Sequence, residues 1–234
     1  GRSLWNGSLP NSSKTDRRQI YNSLIDTMAD LHTKIPSEIS LGDYGKPTDY
    51  CARQISRWSK QYKLSETENQ PKMEKLIEWL PKTVPPQHNS SVVHGDYRLD
   101  NAIFHKNENR IIAVLDWELS TLGDPIADFS YLMLNWYNPS DGRAGLGDLN
   151  VTELGIPTVQ EAVDRYVERT GYPVPPMHWY FAYNLFRLAG IMQGIKKRVI
   201  DGTASSAHAK QMSERVAPLI NRAYDFAISA GMSE

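Results

Sequence analysis

The octapeptide HGDYRLDN at residues 94–101 concentrates side chains that can do acid–base or metal chemistry. A carboxylate such as that of Asp96 can accept a proton, and an amide oxygen such as that of Asn101 can bind a hard cation. A further carboxylate, Asp116, follows in the segment LDWE. The octapeptide alone is also compatible with a solvated turn between strands, so its interpretation depends on the elements that position these residues.

The elements next to the octapeptide are predicted to be short strands. The segments SVVH, AIFH and IIAVLDW have the length and composition of strands, and KNEN separates the last two as a turn. If that turn centres near Asn107 and Glu108, antiparallel pairing sets residue i roughly opposite residue 215 minus i. Asp116 is then expected beside the loop that holds Asp96 and Asn101.

This convergence indicates a metal-assisted reaction. Carboxylates held close together repel each other unless a proton or a cation lies between them. Mg²⁺ binds one or two carboxylates together with substrate phosphates and water, so Asn101 and Asp116 are candidate Mg²⁺ ligands. The spacing also matches the kinase loop H-R-D-x-x-x-x-N, with Gly95 in place of the arginine. The pattern therefore predicts phosphoryl transfer with Asp96 as the base.

Most of the remaining sequence has the spacing of amphipathic helices. Helices are predicted at approximately residues 16–32, 49–62, 70–80, 124–136, 158–170, 177–200 and 204–230. Asp124 is expected to cap the fourth helix, with Pro125 in its first turn. The predicted fold class is therefore α+β and mainly α, a helical body that carries a small catalytic β-hairpin.

Composition excludes several classes of function. The chain has 26 Lys and Arg against 27 Asp and Glu, a balance that gives no electrostatic footprint for nucleic acid and no attraction to an anionic membrane. The single cysteine, Cys51, cannot form an internal disulfide, and no apolar run approaches the ~20 residues of a membrane helix. We therefore expect a soluble intracellular protein, cytoplasmic in a bacterium, whose partners are small molecules.

A family resemblance rests on the octapeptide and the segment after it. HGDYRLDN followed by VLDWELSTLGDPIADFSYL resembles the aminoglycoside phosphotransferase and choline kinase-like superfamily. Within that superfamily, the sequences of these two segments are most similar to those of the phosphotransferase domains associated with acyl-CoA dehydrogenases. The resemblance implies that residues 1–234 form a protein-kinase-like C-terminal lobe. It also implies that the N-terminal nucleotide-binding lobe lies outside this chain, and that the chain alone is inactive without it.

The resemblance also implies roles for five residues. Asp96 corresponds to the catalytic base that deprotonates the acceptor hydroxyl, and Asn101 and Asp116 correspond to the Mg²⁺ ligands that bridge the nucleotide phosphates. His94 is expected to brace the loop through backbone contacts. Asp128 is similar to an aspartate that buttresses the catalytic loop.

Three neighbouring residues have open interpretations. Glu118 is expected on the same strand face as Asp116, where it either assists the metal or is an exposed carboxylate at the end of the strand. Arg98 either meets a phosphate or, as we favour, pairs with Asp100. Trp117 is expected to pack against the helical body.

The predicted function is therefore ATP- and Mg²⁺-dependent phosphoryl transfer to a small-molecule hydroxyl. The resemblance favours a hydroxyacyl-CoA or hydroxy acid as acceptor over an aminoglycoside or an amino alcohol. The alternative is a non-catalytic kinase-like module that binds a ligand or a neighbouring domain. Expected partners are ATP, the small-molecule substrate, and the N-terminal lobe or a neighbouring domain.

Overall fold

The computed structural model describes residues 1–140, 144–204 and 208–233. The chain forms two compact units, residues 1–48 with 88–175, and residues 49–87 with 176–234. The α-helices of the described chain are α1 (Lys14–His32), α2 (Tyr50–Ser65), α3 (Pro71–Trp79), α4 (Pro125–Met133), α5 (Val151–Leu154), α6 (Val159–Thr170), α7 (His178–Ile200), α8 (Ala209–Ser213) and α9 (Val216–Ser229). The strands are β1 (Arg2–Ser3), β2 (Ser91–Val93), β3 (Ala102–Phe104), β4 (Ile111–Val114) and β5 (Thr121–Gly123). All five strands lie in the first unit.

Helix α1 supplies one side of the core of the first unit. It begins at a capping box, in which Ser13 and Asp16 satisfy each other's backbone N–H groups. Its apolar residues recur at helical spacing, and Leu24 and Met28 are fully buried as that spacing predicts. His32 ends the helix and is also buried, which places a polar ring inside the unit.

The strands form two small antiparallel sheets, one of order β1-β3-β4 and one that pairs β2 with β5. The predicted hairpin is β3-β4, but its register is shifted by one residue at the end near the octapeptide. Ala102 pairs with Val114 there, because an irregularity between Ile103 and Phe104 leaves one residue of β4 unpaired. The shift still returns the chain to the octapeptide at the end of β4.

The sheet of β2 and β5 positions the octapeptide against α4. Ser91 pairs with Gly123 and Val93 pairs with Thr121, so the residues after β2 lie next to the segment that leads into α4. Helix α4 begins as predicted: Asp124 accepts a hydrogen bond from the N–H of Ile126, and a proline occupies the first helical position. The fold class predicted from the sequence, mainly helical α+β, is confirmed.

The described part of the second unit consists of helices and their connections. Helix α7 packs against α2, α8 and α9. The helix predicted over residues 204–230 is wrong as one element, since α8 ends at Ser213 and α9 begins at Val216; residues 205–207 lie outside the described chain. Pro218 explains the break, because a proline has no N–H for the carbonyl of Glu214 and its ring clashes with that carbonyl. Among the described residues, no helix is long and apolar enough to cross a membrane.

Candidate active site

The loop at residues 94–101 begins with a turn that requires glycine. Gly95 has φ +83°, in the left-handed region that other L residues rarely adopt. A Cβ atom at Gly95 would also lie 2.8 Å from the carbonyl oxygen of Leu119, far inside normal contact distance. Both the backbone conformation and this close approach therefore exclude a side chain at the centre of the His-Gly-Asp sequence.

Asp128, a buried residue in the first turn of α4, holds the backbone of this turn. One carboxylate oxygen accepts a hydrogen bond from the N–H of His94 at 2.7 Å, and the other accepts one from the N–H of Gly95 at 2.9 Å. Burial raises the pKa of Asp128, but the hydrogen bond and charge of His32 and the two backbone N–H groups outweigh it and leave that pKa below its ordinary value. Asp128 is therefore ionised and accepts bonds from both residues of the turn.

His32 connects this carboxylate to α6. Its Nε2 lies 3.3 Å from Oδ2 of Asp128, and its Nδ1 lies 2.7 Å from the hydroxyl of Tyr166. Burial raises the pKa of Tyr166 above its ordinary value, so the phenol beside Nδ1 keeps its proton. A carboxylate only accepts, so Nε2 carries a proton and donates it to Asp128. Asp128 thus joins α1, α6 and the octapeptide.

The side chain of His94 joins the octapeptide to the end of β4. Its Nδ1 accepts from the N–H of Asp96 at 3.2 Å, and its Nε2 donates to the carbonyl oxygen of Leu115 at 2.8 Å. These two backbone partners are satisfied together by one tautomer, the neutral ring with the proton on Nε2. The ring is fully buried and lies 4.7 Å from the ring of Trp117, centroid to centroid. Both hydrogen bonds of the imidazole are thus with the backbone.

Asp96 has hydrogen-bond donors on both carboxylate oxygens. Its Oδ1 accepts from the hydroxyl of Tyr131, in α4, at 2.5 Å. Its Oδ2 accepts from Nδ2 of Asn101 at 3.3 Å and lies 3.5 Å from Nε of Arg98. The same Nδ2 donates to the carbonyl oxygen of Asp96 at 2.9 Å. The carboxylate is therefore held in a defined orientation and remains partly accessible.

Asn101 and the segment that holds Asp116 are joined through the backbone. The N–H of Leu115 donates to the carbonyl oxygen of Asn101 at 2.8 Å, so Asp116 is one residue from a direct contact with the loop. Asp116 has φ +66°, and its exposed carboxylate makes no hydrogen bond with the described residues. The Oδ1 atom of Asn101 likewise accepts no hydrogen bond from the described part of the chain, because the amide is anchored through Nδ2.

This donor set fits a Mg²⁺ ion. One amide oxygen and one carboxylate, neither used by the described protein groups, are hard oxygen ligands of the kind that Mg²⁺ takes alongside phosphates and water. Among the described residues, no group of three or more His, Cys, Asp or Glu could hold a metal. A site of two protein ligands completed by a nucleotide is therefore the type of metal site that these residues can form.

The structure gives contacts for all three of these residues. Arg98 pairs with Asp100, Nη2 to Oδ2 at 3.3 Å, and its Nε makes no hydrogen bond with the described residues. Trp117 is 39% exposed, and its ring lies against the ring of His94. Glu118 is not on a strand face with Asp116, because Asp116 is left-handed and Glu118 lies in the 3₁₀ turn Trp117–Leu119. It is an exposed carboxylate.

Sequence reasoning missed three residues of the network, His32, Tyr131 and Tyr166. His32 has a weak signal, because it falls on the buried face of α1 at helical spacing from Met28. Tyr131 lies three residues after Asp128 in α4 and so faces the same way. Only the tertiary fold brings Tyr166 of α6 to His32.

The fold and the arrangement of the loop define a class, the kinase-like phosphotransferases. A candidate aminoglycoside phosphotransferase from Ralstonia eutropha superposes with a TM-score of 0.94 at 47% identity, over 98% of this chain and 70% of that one. A spectinomycin phosphotransferase, solved with ADP and spectinomycin, superposes with a TM-score of 0.56 at 14% identity, over 95% and 68%. The second likeness shows the fold alone.

Sequence comparison gives the family. The family model described as "Phosphotransferase enzyme family" matches residues 1–162. Acyl-CoA dehydrogenase family member 10 from Mus musculus is 43% identical over 96% of this chain and 21% of its own length. Acyl-CoA dehydrogenase family member 11 from Rattus norvegicus is 38% identical over 94% and 29%. The chain belongs to the phosphotransferase enzyme family, and the resemblance found in its motifs is confirmed.

The curated relatives are much longer than the matched region. This chain spans less than a third of the length of both mammalian proteins. The activities and substrates of those whole proteins therefore enter below only as proposals.

Proposed function

We propose that the chain takes part in ATP- and Mg²⁺-dependent phosphoryl transfer to the hydroxyl of a small molecule. Membership of the family supports a small-molecule phosphotransferase in general. The more specific proposal, ATP- and Mg²⁺-dependent transfer to a hydroxyl, rests on the position of Asp96. Its carboxylate accepts from the side-chain amide of Asn101, and the backbone carbonyl oxygen of Asn101 accepts from the N–H of Leu115, the residue before Asp116. A candidate base and two candidate metal ligands thus belong to one short network.

Each residue has a role that follows from its contacts. Asp96 accepts the proton of the acceptor hydroxyl as the hydroxyl oxygen bonds to the γ-phosphorus of ATP, while the bond from that phosphorus to the β–γ bridging oxygen breaks and ADP leaves. Asn101 Oδ1 and the Asp116 carboxylate would hold Mg²⁺, which when bound neutralises charge on the transferred phosphoryl group. In this proposal His94 and Asp128 do not take part in the reaction. They hold the loop in the conformation that places Asp96 correctly for catalysis.

The acceptor class is proposed from the relatives. Two similar proteins are named as acyl-CoA dehydrogenase family members, which supports a hydroxyacyl thioester or a hydroxy acid. A polycationic aminoglycoside would favour a strongly acidic protein, whereas this chain has nearly equal numbers of acidic and basic residues.

The test is a transfer screen with the full-length polypeptide that contains this chain. Radiolabelled ATP would be offered with panels of hydroxyacyl-CoA thioesters, hydroxy acids and amino alcohols. Asp96→Asn should lower kcat for the accepted panel by ~10²- to 10⁴-fold, because an amide cannot take up the proton. Equal turnover by wild type and Asp96→Asn would remove Asp96 as the base. MgATP binding without transfer to any panel would favour the non-catalytic binding module.

A further inference from the structure

Helix α4 contacts the octapeptide at two separate points. Asp128 accepts from the backbone N–H groups of His94 and Gly95, and one turn later Tyr131 donates its phenolic proton to the side chain of Asp96. The two residues are three apart and so lie on one face of the helix. The first contact fixes the backbone of the turn, and the second is made with the carboxylate itself.

The contact of Tyr131 is the shortest one that Asp96 makes. A separation of 2.5 Å between hydroxyl and carboxylate oxygens is typical of a charge-assisted hydrogen bond. On the other oxygen, the hydrogen bond from Nδ2 of Asn101 is longer, at 3.3 Å, and Nε of Arg98 lies 3.5 Å away as an ion-pair partner. The orientation of the carboxylate therefore depends mainly on Tyr131.

That orientation is otherwise weakly determined. The terminal torsion of an aspartate, between an sp³ and an sp² carbon, has a broad energy profile, so the carboxylate plane turns easily without a donor. Each carboxylate oxygen has two lone pairs. With one lone pair of Oδ1 taken by Tyr131, the other is left at a fixed angle for an acceptor hydroxyl. Tyr131 is only partly buried, so this side of Asp96 is not closed off by core packing.

We infer that Tyr131 is a positioning residue for phosphoryl transfer, whose hydroxyl orients the Asp96 carboxylate toward the acceptor hydroxyl. The inference rests on the proposed function, because it takes Asp96 to be the base. In this proposal Tyr131 acts through the Asp96 carboxylate, to which its hydroxyl donates. Its loss should therefore slow the chemical step and leave nucleotide binding unchanged.

The variant that tests this is Tyr131→Phe, which removes one oxygen and keeps the ring. We expect kcat with a hydroxyacyl-CoA acceptor to fall about 10-fold, because a misoriented base reacts less often. KM for MgATP should stay within about 2-fold of wild type. A role in packing alone would lower the melting temperature and leave kcat unchanged in the folded enzyme.

The control is Tyr21→Phe in the same full-length protein. Tyr21 is fully buried, and its hydroxyl donates to the carbonyl oxygen of Gly7 at 2.7 Å, a contact that involves no site residue. Removal of this hydroxyl should lower the melting temperature and leave kcat unaltered. Comparison of Tyr131→Phe with Tyr21→Phe therefore distinguishes the loss of a positioning contact from the loss of an ordinary buried hydrogen bond.

A double-mutant cycle decides whether Tyr131 acts through Asp96. In the Asp96→Asn background, measured by long incubation with radiolabelled ATP, the further change Tyr131→Phe should alter the residual rate by less than about 2-fold. The same fold-loss in both backgrounds, or an undiminished kcat in Tyr131→Phe alone, overturns the inference. If Asp96→Asn is defective in transfer while Tyr131→Phe is fully active, the inference about Tyr131 is contradicted and the proposed function is not. Equal rates for wild type and Asp96→Asn contradict the proposed function, and the inference falls with it.

Discussion

At the scale of single residues, the side-chain polar atoms of His94, Asp96 and Asp128 have matched hydrogen-bond partners. His94 uses one ring nitrogen to accept and the other to donate, and Asp128 has a backbone donor on each oxygen. Asp96 is similarly held on both oxygens. Oδ1 of Asn101 and the carboxylate of Asp116 accept no hydrogen bond from the described residues, and the same is true of Oδ1 of Asp100. The groups of Asn101 and Asp116 are the ones proposed to bind Mg²⁺.

The buried carboxylate of Asp128 gives a prediction about stability. Asp128→Asn should lower the free energy of unfolding of the chain by about 3 kcal/mol at pH 7. An amide has one acceptor oxygen, so its NH₂ group must face one of the three donors from His94, Gly95 and His32. Urea unfolding of wild type and variant measures the difference. The control is Asp164→Asn at an exposed position of α6, where we expect a change within about 0.5 kcal/mol.

The stabilisation by Asp128 should depend on pH with a definite sign. Because the pKa of Asp128 is lower in the folded chain than its ordinary value, the folded state favours the ionised form. Its contribution is complete above the unfolded-state pKa near ~3.9 and is lost as pH falls through the lower folded-state pKa. The difference between wild type and Asp128→Asn should therefore narrow below about pH 4. A difference that stayed constant from pH 7 to pH 3 would contradict this account.

At the scale of elements, the sequence predicted the helices and strands whose apolar residues recur at a regular spacing. The helices that became α1, α2, α3, α4, α6 and α7 follow from apolar spacing and cap residues, and the β3-β4 hairpin follows from two branched segments around a polar turn. Strands β1 and β5 have the sequences RS and TLG, which lack a pair of adjacent β-branched or aromatic residues that would predict a strand. They form because a neighbouring strand offers unpaired backbone groups, which is tertiary information.

The turn after β2 gives a prediction at this scale. Gly95→Ala should destabilise the chain more than Gly171→Ala, although both glycines have positive φ, +83° and +69°. A left-handed alanine costs roughly 1–2 kcal/mol at either position. At Gly95 the new Cβ would also press on the carbonyl of Leu119, whereas nothing lies within 4 Å of the equivalent atom at Gly171. We expect an extra loss of about 1–3 kcal/mol, measured by urea unfolding.

Activity provides the second arm of the same experiment. Displacement of the turn at Gly95 should also move Asp96, so transfer should fall in Gly95→Ala and stay near wild type in Gly171→Ala. Equal unfolding free energies for the two variants would show that the contact with Leu119 has no energetic consequence.

At the scale of the whole molecule, sequence and structure contribute different parts of the candidate site. Asp96, Asn101 and Asp116 were predictable because one octapeptide and one hairpin bring them together, a largely local event. His32 and Tyr166 were not, since they belong to α1 and α6, which are far apart in the sequence and meet only when the first unit packs. The residues that support the loop are therefore less visible in the sequence than the residues proposed to react.

Asp96 is proposed as the base, and Asn101 and Asp116 are proposed as the Mg²⁺ ligands. These roles can be tested by measuring MgATP binding and phosphoryl transfer separately. Calorimetric titration of full-length protein with MgATP should show that Asp116→Ala and Asn101→Ala weaken binding by at least ~10-fold, as loss of a metal contact requires. Asp96→Asn should bind MgATP as wild type does and yet fail to transfer the phosphoryl group. The exposed-residue variant Asp43→Ala is the matched control. Unchanged MgATP affinity in Asp116→Ala and Asn101→Ala would contradict the assigned metal site.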